Sequence, residues 1–320
     1  MTMQILEFEK PIVALEEKLH QLLAQSEQSD IDLSDQIEEM RVRLTETKEK
    51  IYANLTPWQR VQIARHTQRP FMLDYINYCF DDFLELHGDR HIGDDNSMPG
   101  GLARLNGEAC VVIGHQKGRD TKENLLRNFG SAHPEGYRKS LRLMRMAEKF
   151  NMPIVAFIDT PGAFPGIGAE ERNIAEAIAF NLREMMLLKT PIVAVVLGEG
   201  GSGGALGIGV ADKVLMMENA YYSVISPEGC AAILWKHREH APEAAEAMKI
   251  AAPDLAKLVL IDGVISEPNG GAHHHPETAA MSLKTAVSEA IDELKKLSTE
   301  DLLNQRYDKF RKFGEWREEK

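Results

Sequence analysis

Two segments, MPIVAFID at 152–159 and TPIVAVVLG at 190–198, are apolar almost without interruption. A strand with one wet face alternates apolar and polar residues, so continuous runs of this kind are strands covered on both faces. Such strands belong to parallel sheets, and each pair needs a crossover helix between them. The stretch from about Ala169 to Leu188 supplies one. A third short strand, KVLMME, begins at Lys213. Strand, glycine-rich loop and helix recur in that order, which predicts an α/β architecture.

Around these strands the remaining elements follow from local signals. Asn106-Gly107, between GGLARL and EACVVIGH, predicts a tight β-hairpin. Helices are expected at about 56–65 behind the Thr56-Pro57 cap, at Met72–Leu86, and at Pro134–Phe150. Three more are expected at 226–236, 242–250 and 276–297. At the amino end, Ile12, Leu15, Leu19, Leu22 and Leu23 mark one helical stripe. Ile37, Met40, Leu44 and Ile51 mark a second. The chain therefore divides into a helical hairpin arm at 1–55, a core at 56–298 and a charged tail at 299–320. The arm's apolar stripes suit a subunit contact better than a catalytic role.

With 320 residues, 43% of them hydrophobic, the chain buries a large core without disulfides or metals as staples. A formal charge of -12 repels phosphate backbones and anionic lipid, so neither nucleic acid nor a membrane is an expected partner. Cys79, Cys110 and Cys230 lie far apart, which fits a reducing compartment and excludes a four-cysteine zinc ribbon in this chain. The opening MTMQILEFEK carries acids and lacks an apolar core, so it does not read as a signal peptide. No apolar stretch reaches membrane-spanning length. A soluble cytoplasmic protein is expected.

Chemistry concentrates in two loops after the buried strands. The first runs Asp159-Thr160-Pro161-Gly162-Ala163-Phe164-Pro165-Gly166-Ile167-Gly168-Ala169-Glu170-Glu171, and the second runs from Gly198 to Gly207 with six glycines in ten residues. Ligands of α/β folds bind outside the carboxyl ends of strands, where both loops fall. A helix follows each loop, and free N–H groups at a helix start favour negative charge. The second loop fits three readings. Gly198, Gly200 and Gly203 match a dinucleotide fingerprint with Glu218 downstream, although the glycine-laden GALGIGVADK makes a poor crossover helix. Gly200-Gly201-Ser202-Gly203-Gly204 matches a serine-hydrolase nucleophile elbow, with Asp254 or Asp262 and one of His273–His275 to complete it. The third reading is an oxyanion hole made by the backbone itself, with Ser202 incidental.

Other signals are weaker. His273-His274-His275 reads as a solvated surface run, because three adjacent residues cannot all face one ion. No Gly-Lys dipeptide occurs, so a Walker A loop for ATP is absent. Lys117, Arg119, Lys122 and Arg127 crowd one segment, as a helix start in solvent or as a phosphate or carboxylate site.

Taken together, GHQKGRDTKENLLRNFG, HPEGYRKSLRLM, IDTPGAFPGIGAEERN, GEGGSGGALGIG and YSVISPEGCAAILWK closely resemble the alpha subunits of the carboxyltransferase component of bacterial acetyl-CoA carboxylase. The similarity extends to LEFEKPIVALEEKL at the start and LSTEDLLNQRYDKF near the end. The resemblance implies a crotonase-like fold, a spiral of β-β-α units. It implies an α2β2 heterotetramer with a homologous beta chain, which brings the zinc ribbon, and an active site between the two. It also implies work with a biotin carboxyl carrier protein and a biotin carboxylase, which spends the ATP. The implied reaction moves a carboxyl group from carboxybiotin to acetyl-CoA to give malonyl-CoA. The backbone N–H groups of Gly203 and Gly204 are the expected oxyanion hole for biotin. Gly162, Ala163, Gly201, Ala205, Lys117 and Arg119 are the expected substrate-binding residues.

Overall fold

The computed structural model describes residues 4–28 and 32–314. Its centre is one eight-stranded mixed sheet. The strands are β1 (Asp81–Glu85), β2 (Gly100–Leu105), β3 (Glu108–Gly114), β4 (Ile154–Thr160), β5 (Ile192–Gly201), β6 (Lys213–Met217), β7 (Tyr221–Ser223) and β8 (Gly263–Ile265). Their order is β1-β2-β3-β4-β5-β6-β8, with β7 paired to β5. Strands β1 to β3 are antiparallel, and from β3 onward every pairing is parallel. The two apolar runs are β4 and β5, side by side and buried at every residue, as continuous hydrophobicity requires.

The Asn106-Gly107 hairpin joins β2 to β3, with φ of 51° and 83° at the two turn residues. Positive φ at both positions is the twist-matched turn that Asn-Gly favours. Thr56 caps the Pro57–Ala64 helix by accepting from the Gln59 N–H at 3.2 Å, and Gln59 accepts from the Thr56 N–H at 2.8 Å.

Three expectations need correction. The helix expected at Met72–Leu86 ends at Cys79, and β1 follows it. Its pairing partner is β2, and Gly101 faces the Leu84 carbonyl so closely that a side chain there would collide with it. Helical spacing within 72–86 carries no record of that distant partner. The helix expected at Ala169–Leu188 is two pieces, Ile167–Glu171 and Ile174–Met185. Asn173 breaks it in the left-handed conformation, which asparagine tolerates better than most residues. The charged segment after Thr299 forms a helix, Thr299–Arg311. Its Arg306 is buried, donating to both Asp212 carboxylate oxygens at 2.7 Å and to the carbonyls of Met185, Leu188 and Thr190.

At the amino end, helices Lys10–Gln28 and Ser34–Tyr52 lie against each other, so their half-buried stripes face one another. Leu6, Ile12 and Tyr52 root this hairpin on Ile63 of the core. Among the described residues no helix is long and apolar enough to cross a membrane.

Candidate active site

Strands β4 and β5 end beside each other, so the two loops meet. Thr160 shapes the first: its hydroxyl donates to the Gly162 carbonyl at 2.8 Å and accepts the Gly162 N–H at 3.0 Å. Gly162 has φ of 150°, where a side chain would be strained. The second loop is not a loose glycine coil. Strand β5 runs on through Gly201, and a short helix, Ser202–Leu206, starts at once. The glycines there serve close approach. A Cβ on Gly204 would lie 2.5 Å from the Ala163 nitrogen and from the Gly162 carbonyl carbon. One on Gly201 would lie 2.3 Å from the Pro161 carbonyl oxygen, and one on Gly207 2.5 Å from the Tyr137 ring. Gly203 differs: its nearest neighbour would be Ile178 at 3.9 Å, so its face is open. Within this loop the positive φ belongs to Ser202, at 50°, and not to a glycine.

The geometry therefore brings Gly162, Ala163, Gly201, Gly203, Gly204 and Ala205 into one patch. The first-turn N–H groups of the Ser202–Leu206 helix have no acceptors within the helix, and the open face of this turn is at Gly203. Gly203 and Ser202 are half-buried, and Gly204 and Ala205 are buried beneath them.

At the same strand ends lies a largely buried charge network. Lys117 donates to Asp159 at 2.6 Å and to Glu199 at 2.7 Å. Arg65 donates to Glu199 at 2.7 Å and to Glu228 at 2.5 Å, while the Tyr221 hydroxyl donates to Glu199 at 2.6 Å. Burial pushes the Glu199 carboxyl up, but Lys117 and Arg65 outweigh it and hold the group at about 2. Burial wins at Asp159, whose pKa is raised although Lys117 opposes it. Burial lowers and the two carboxylates raise the Lys117 pKa, with a net shift upward. Lys117 is thus held by the protein's own acids and steadies the ends of β4 and β5. Arg119 is also occupied: it donates to Asp74 and to the Thr67 carbonyl, and its guanidinium lies over Phe71. Sequence reasoning missed Asp159, Glu199, Arg65 and Tyr221 as a unit, because they come from four separate stretches of chain.

His115 lies fully buried below this region with its ring edge-on to Tyr137, whose hydroxyl donates to the Gly204 carbonyl at 3.2 Å. Burial first, then the Lys117 charge, push its pKa down to about 3.

The geometry disposes of two readings of the second loop. Ser202 has the positive φ of a nucleophile elbow, yet among its proposed partners Asp262, His273 and His274 are engaged elsewhere. Asp262 accepts from the Val214 N–H and Lys309, and His273 is bonded to Glu9. The dinucleotide reading needs a full crossover helix after the fingerprint, and the helix there is only Ser202–Leu206. The histidine run also differs from expectation, since His273 is buried and only His275 is exposed.

The family model for acetyl co-enzyme A carboxylase carboxyltransferase-like proteins matches residues 5–314. The chain belongs to that family. Among its relatives is an acetyl-coenzyme A carboxylase carboxyl transferase subunit alpha from Halalkalibacterium halodurans, 56% identical over 311 residues, covering 97% of this chain and 96% of the relative. Another of the same name, from Geobacter metallireducens, is 56% identical over 313 residues and covers 98% of each. The fold is crotonase-like, as in solved carboxyltransferases. A transcarboxylase 12S structure overlays with a TM-score of 0.57 at 20% identity, covering 70% of this chain and 41% of that one. A Pseudomonas malonate decarboxylase heterodimer overlays with a TM-score of 0.53 at 17% identity, covering 63% and 82%. Membership in the carboxyltransferase family makes this chain part of an enzyme that moves carboxyl groups, and it leaves the hydrolase and oxidoreductase readings without support.

Proposed function

We propose that the patch around Gly203 and Gly204 is this subunit's half of a carboxyltransferase site, where the carboxyl group of carboxybiotin passes to acetyl-CoA to give malonyl-CoA, the first committed step of fatty acid biosynthesis. The observation that carries the reading is the junction of the two loops, which presents backbone donors on a rigid floor at the ends of β4 and β5. Carboxybiotin supplies the carboxyl group. The N–H groups of Gly203 and Gly204 donate to its ureido oxygen and stabilise the charge that develops there. Donors fixed in advance need no reorganisation during reaction, and such stabilisation is often the largest catalytic contribution. Gly162, Ala163, Gly201 and Ala205 form the walls, and their lack of bulk lets a flat ring approach. Lys117, expected as a direct binding group, acts instead by positioning the ends of β4 and β5 through Asp159 and Glu199, while Arg119, expected likewise, is tied to Asp74 and the Thr67 carbonyl away from the two loops.

The mechanism lacks a second oxyanion site for the acetyl-CoA enolate, and a beta chain is proposed to supply it across an α2β2 interface. Supporting this, exposed apolar residues surround the loops, among them Ile167 at 79% and Leu206 at 44% exposure on the helices that follow them. A biotin carboxyl carrier protein delivers the carboxyl group, a biotin carboxylase spends ATP to load it, and the beta chain holds the zinc. The complex is proposed to work in the cytoplasm.

The test is malonyl-CoA-dependent carboxylation of biocytin by the chain mixed with its beta partner. Turnover that needs both chains supports the reading. Fluorophosphonate labelling of Ser202, or turnover by this chain without any partner, overturns it.

A further inference from the structure

Glu9 is separated from His273 by more than 260 residues of chain, yet the two meet in a buried cluster. Glu9 is fixed by the turn at Glu7–Glu9, where its carboxylate accepts the Leu6 N–H at 3.2 Å. The histidines are fixed by Gly270 and Gly271, whose φ of 97° and 76° turn the chain inward. One oxygen of Glu9 then receives His273 Nε2 at 3.0 Å, His274 Nε2 at 3.5 Å and the Tyr52 hydroxyl at 2.5 Å.

We propose that Glu9, His273 and His274 form a zinc-binding site that clamps the N-terminal arm to the core. Their ligand atoms all lie within 4.8 Å of one another. Zinc holds nitrogen and oxygen ligands at about 2.0–2.2 Å, so neighbouring donors of a tetrahedral site sit about 3.4 Å apart. The 3.0 and 3.5 Å spacings bracket that value. Two imidazoles and one carboxylate are a donor set that zinc prefers over magnesium or calcium.

Charge points the same way. Among the described residues the ion-pair partners of Glu9 are these two histidines, with no lysine or arginine. A buried carboxylate is costly without a cation, and a divalent ion supplies one. His274 is 24% exposed at its side chain, which leaves a path for the ion and for a water as fourth ligand. Tyr52 would orient the carboxylate, as outer partners of metal ligands do. The His66 ring lies tilted against His273 with centroids 4.4 Å apart, but its Nε2 lies 2.7 Å from the Gln4 carbonyl, so it is not a ligand. Binding through Nε2 leaves the ring proton of His273 on Nδ1, which is buried without a partner among the described residues. A missing outer partner weakens zinc sites by roughly 10- to 100-fold, so binding weaker than at a fully supported site is expected.

The test uses the full chain without its partner, stripped by chelator and titrated with zinc by calorimetry and with cobalt by visible absorption. One ion per chain, a tetrahedral cobalt band and a raised melting temperature are expected. His274→Ala, at a half-exposed position that folding tolerates, should weaken binding at least about tenfold, as should Glu9→Gln. His275→Ala, at the exposed neighbour, should change nothing. Unchanged affinity in a folded His274→Ala chain would mean that the ion sits elsewhere and would overturn the proposal. So would a wild-type chain that takes up no zinc.

Discussion

Gly204 rests on Gly162 with no room between them: a Cβ on Gly204 would lie 2.5 Å from the Gly162 carbonyl carbon. The contact locks the floor of one loop to the wall of the other. It also means that Gly203 and Gly204 answer different questions when substituted.

Gly204→Val must push the first loop away, so loss of activity should come with loss of stability. Gly203→Ala places a methyl on the open face, at a backbone conformation alanine accepts, and should leave the melting temperature nearly unchanged. If the Gly203 face holds the ureido oxygen, that methyl should cut biocytin carboxylation at least about tenfold, approaching the roughly hundredfold loss of one oxyanion donor. Ser202→Ala should cost little. Near-normal turnover in folded Gly203→Ala would refute the backbone site.

Lys117 lies between Asp159 and Glu199, its side chain 12% exposed and both acids buried. Lys117→Met leaves two buried acids close together without their shared cation. Breaking a buried pair from one side typically costs about 3–5 kcal/mol. Urea unfolding of the full chain should show a loss of that order, together with reduced turnover. A variant as stable as the parent would show that the network is not what holds the strand ends.

The acid limb of stability should depend on His115. Its folded pKa of about 3 lies below the ordinary value, so the unfolded chain binds the extra proton first as pH falls. The stabilisation from the neutral buried ring is complete above pH 6.5 and is lost as pH drops toward about 3. The limiting slope for one group is about 1.4 kcal/mol per pH unit. Denaturant midpoints measured across this range should flatten in His115→Gln relative to the parent. Parallel curves would remove His115 from the account.

The arm hairpin is rooted through Leu6, Ile12 and Tyr52, so deleting all of 1–55 would damage the core as well. Replacing only 16–48 with a short Gly-Ser turn keeps the root. The core should then unfold within a few degrees of the parent, while assembly with the beta chain weakens in sedimentation velocity. Full assembly at unchanged affinity would refute a partner-gripping role for the arm.

The sequence by itself determined the parts of this protein whose signals are local. Apolar runs at 152–159 and 190–198 are complete within a few residues, and they became the central strands β4 and β5. The Asn106-Gly107 turn and the Thr56 cap are likewise written in adjacent residues. The glycine-rich loop was legible as a site, but why each glycine is there was not. Gly201 and Gly204 answer to the backbone of Pro161, Gly162 and Ala163, some forty residues earlier, and only the pairing of β4 with β5 brings these together. The same holds for Lys117 with Glu199, Arg306 with Asp212, and Glu9 with His273. Each pair is held by chain folding between distant positions, and buried charges acquire their partners only once that folding has excluded water. Local periodicity reports which face of an element is apolar. Tertiary structure alone decides which distant charge or backbone that face will meet.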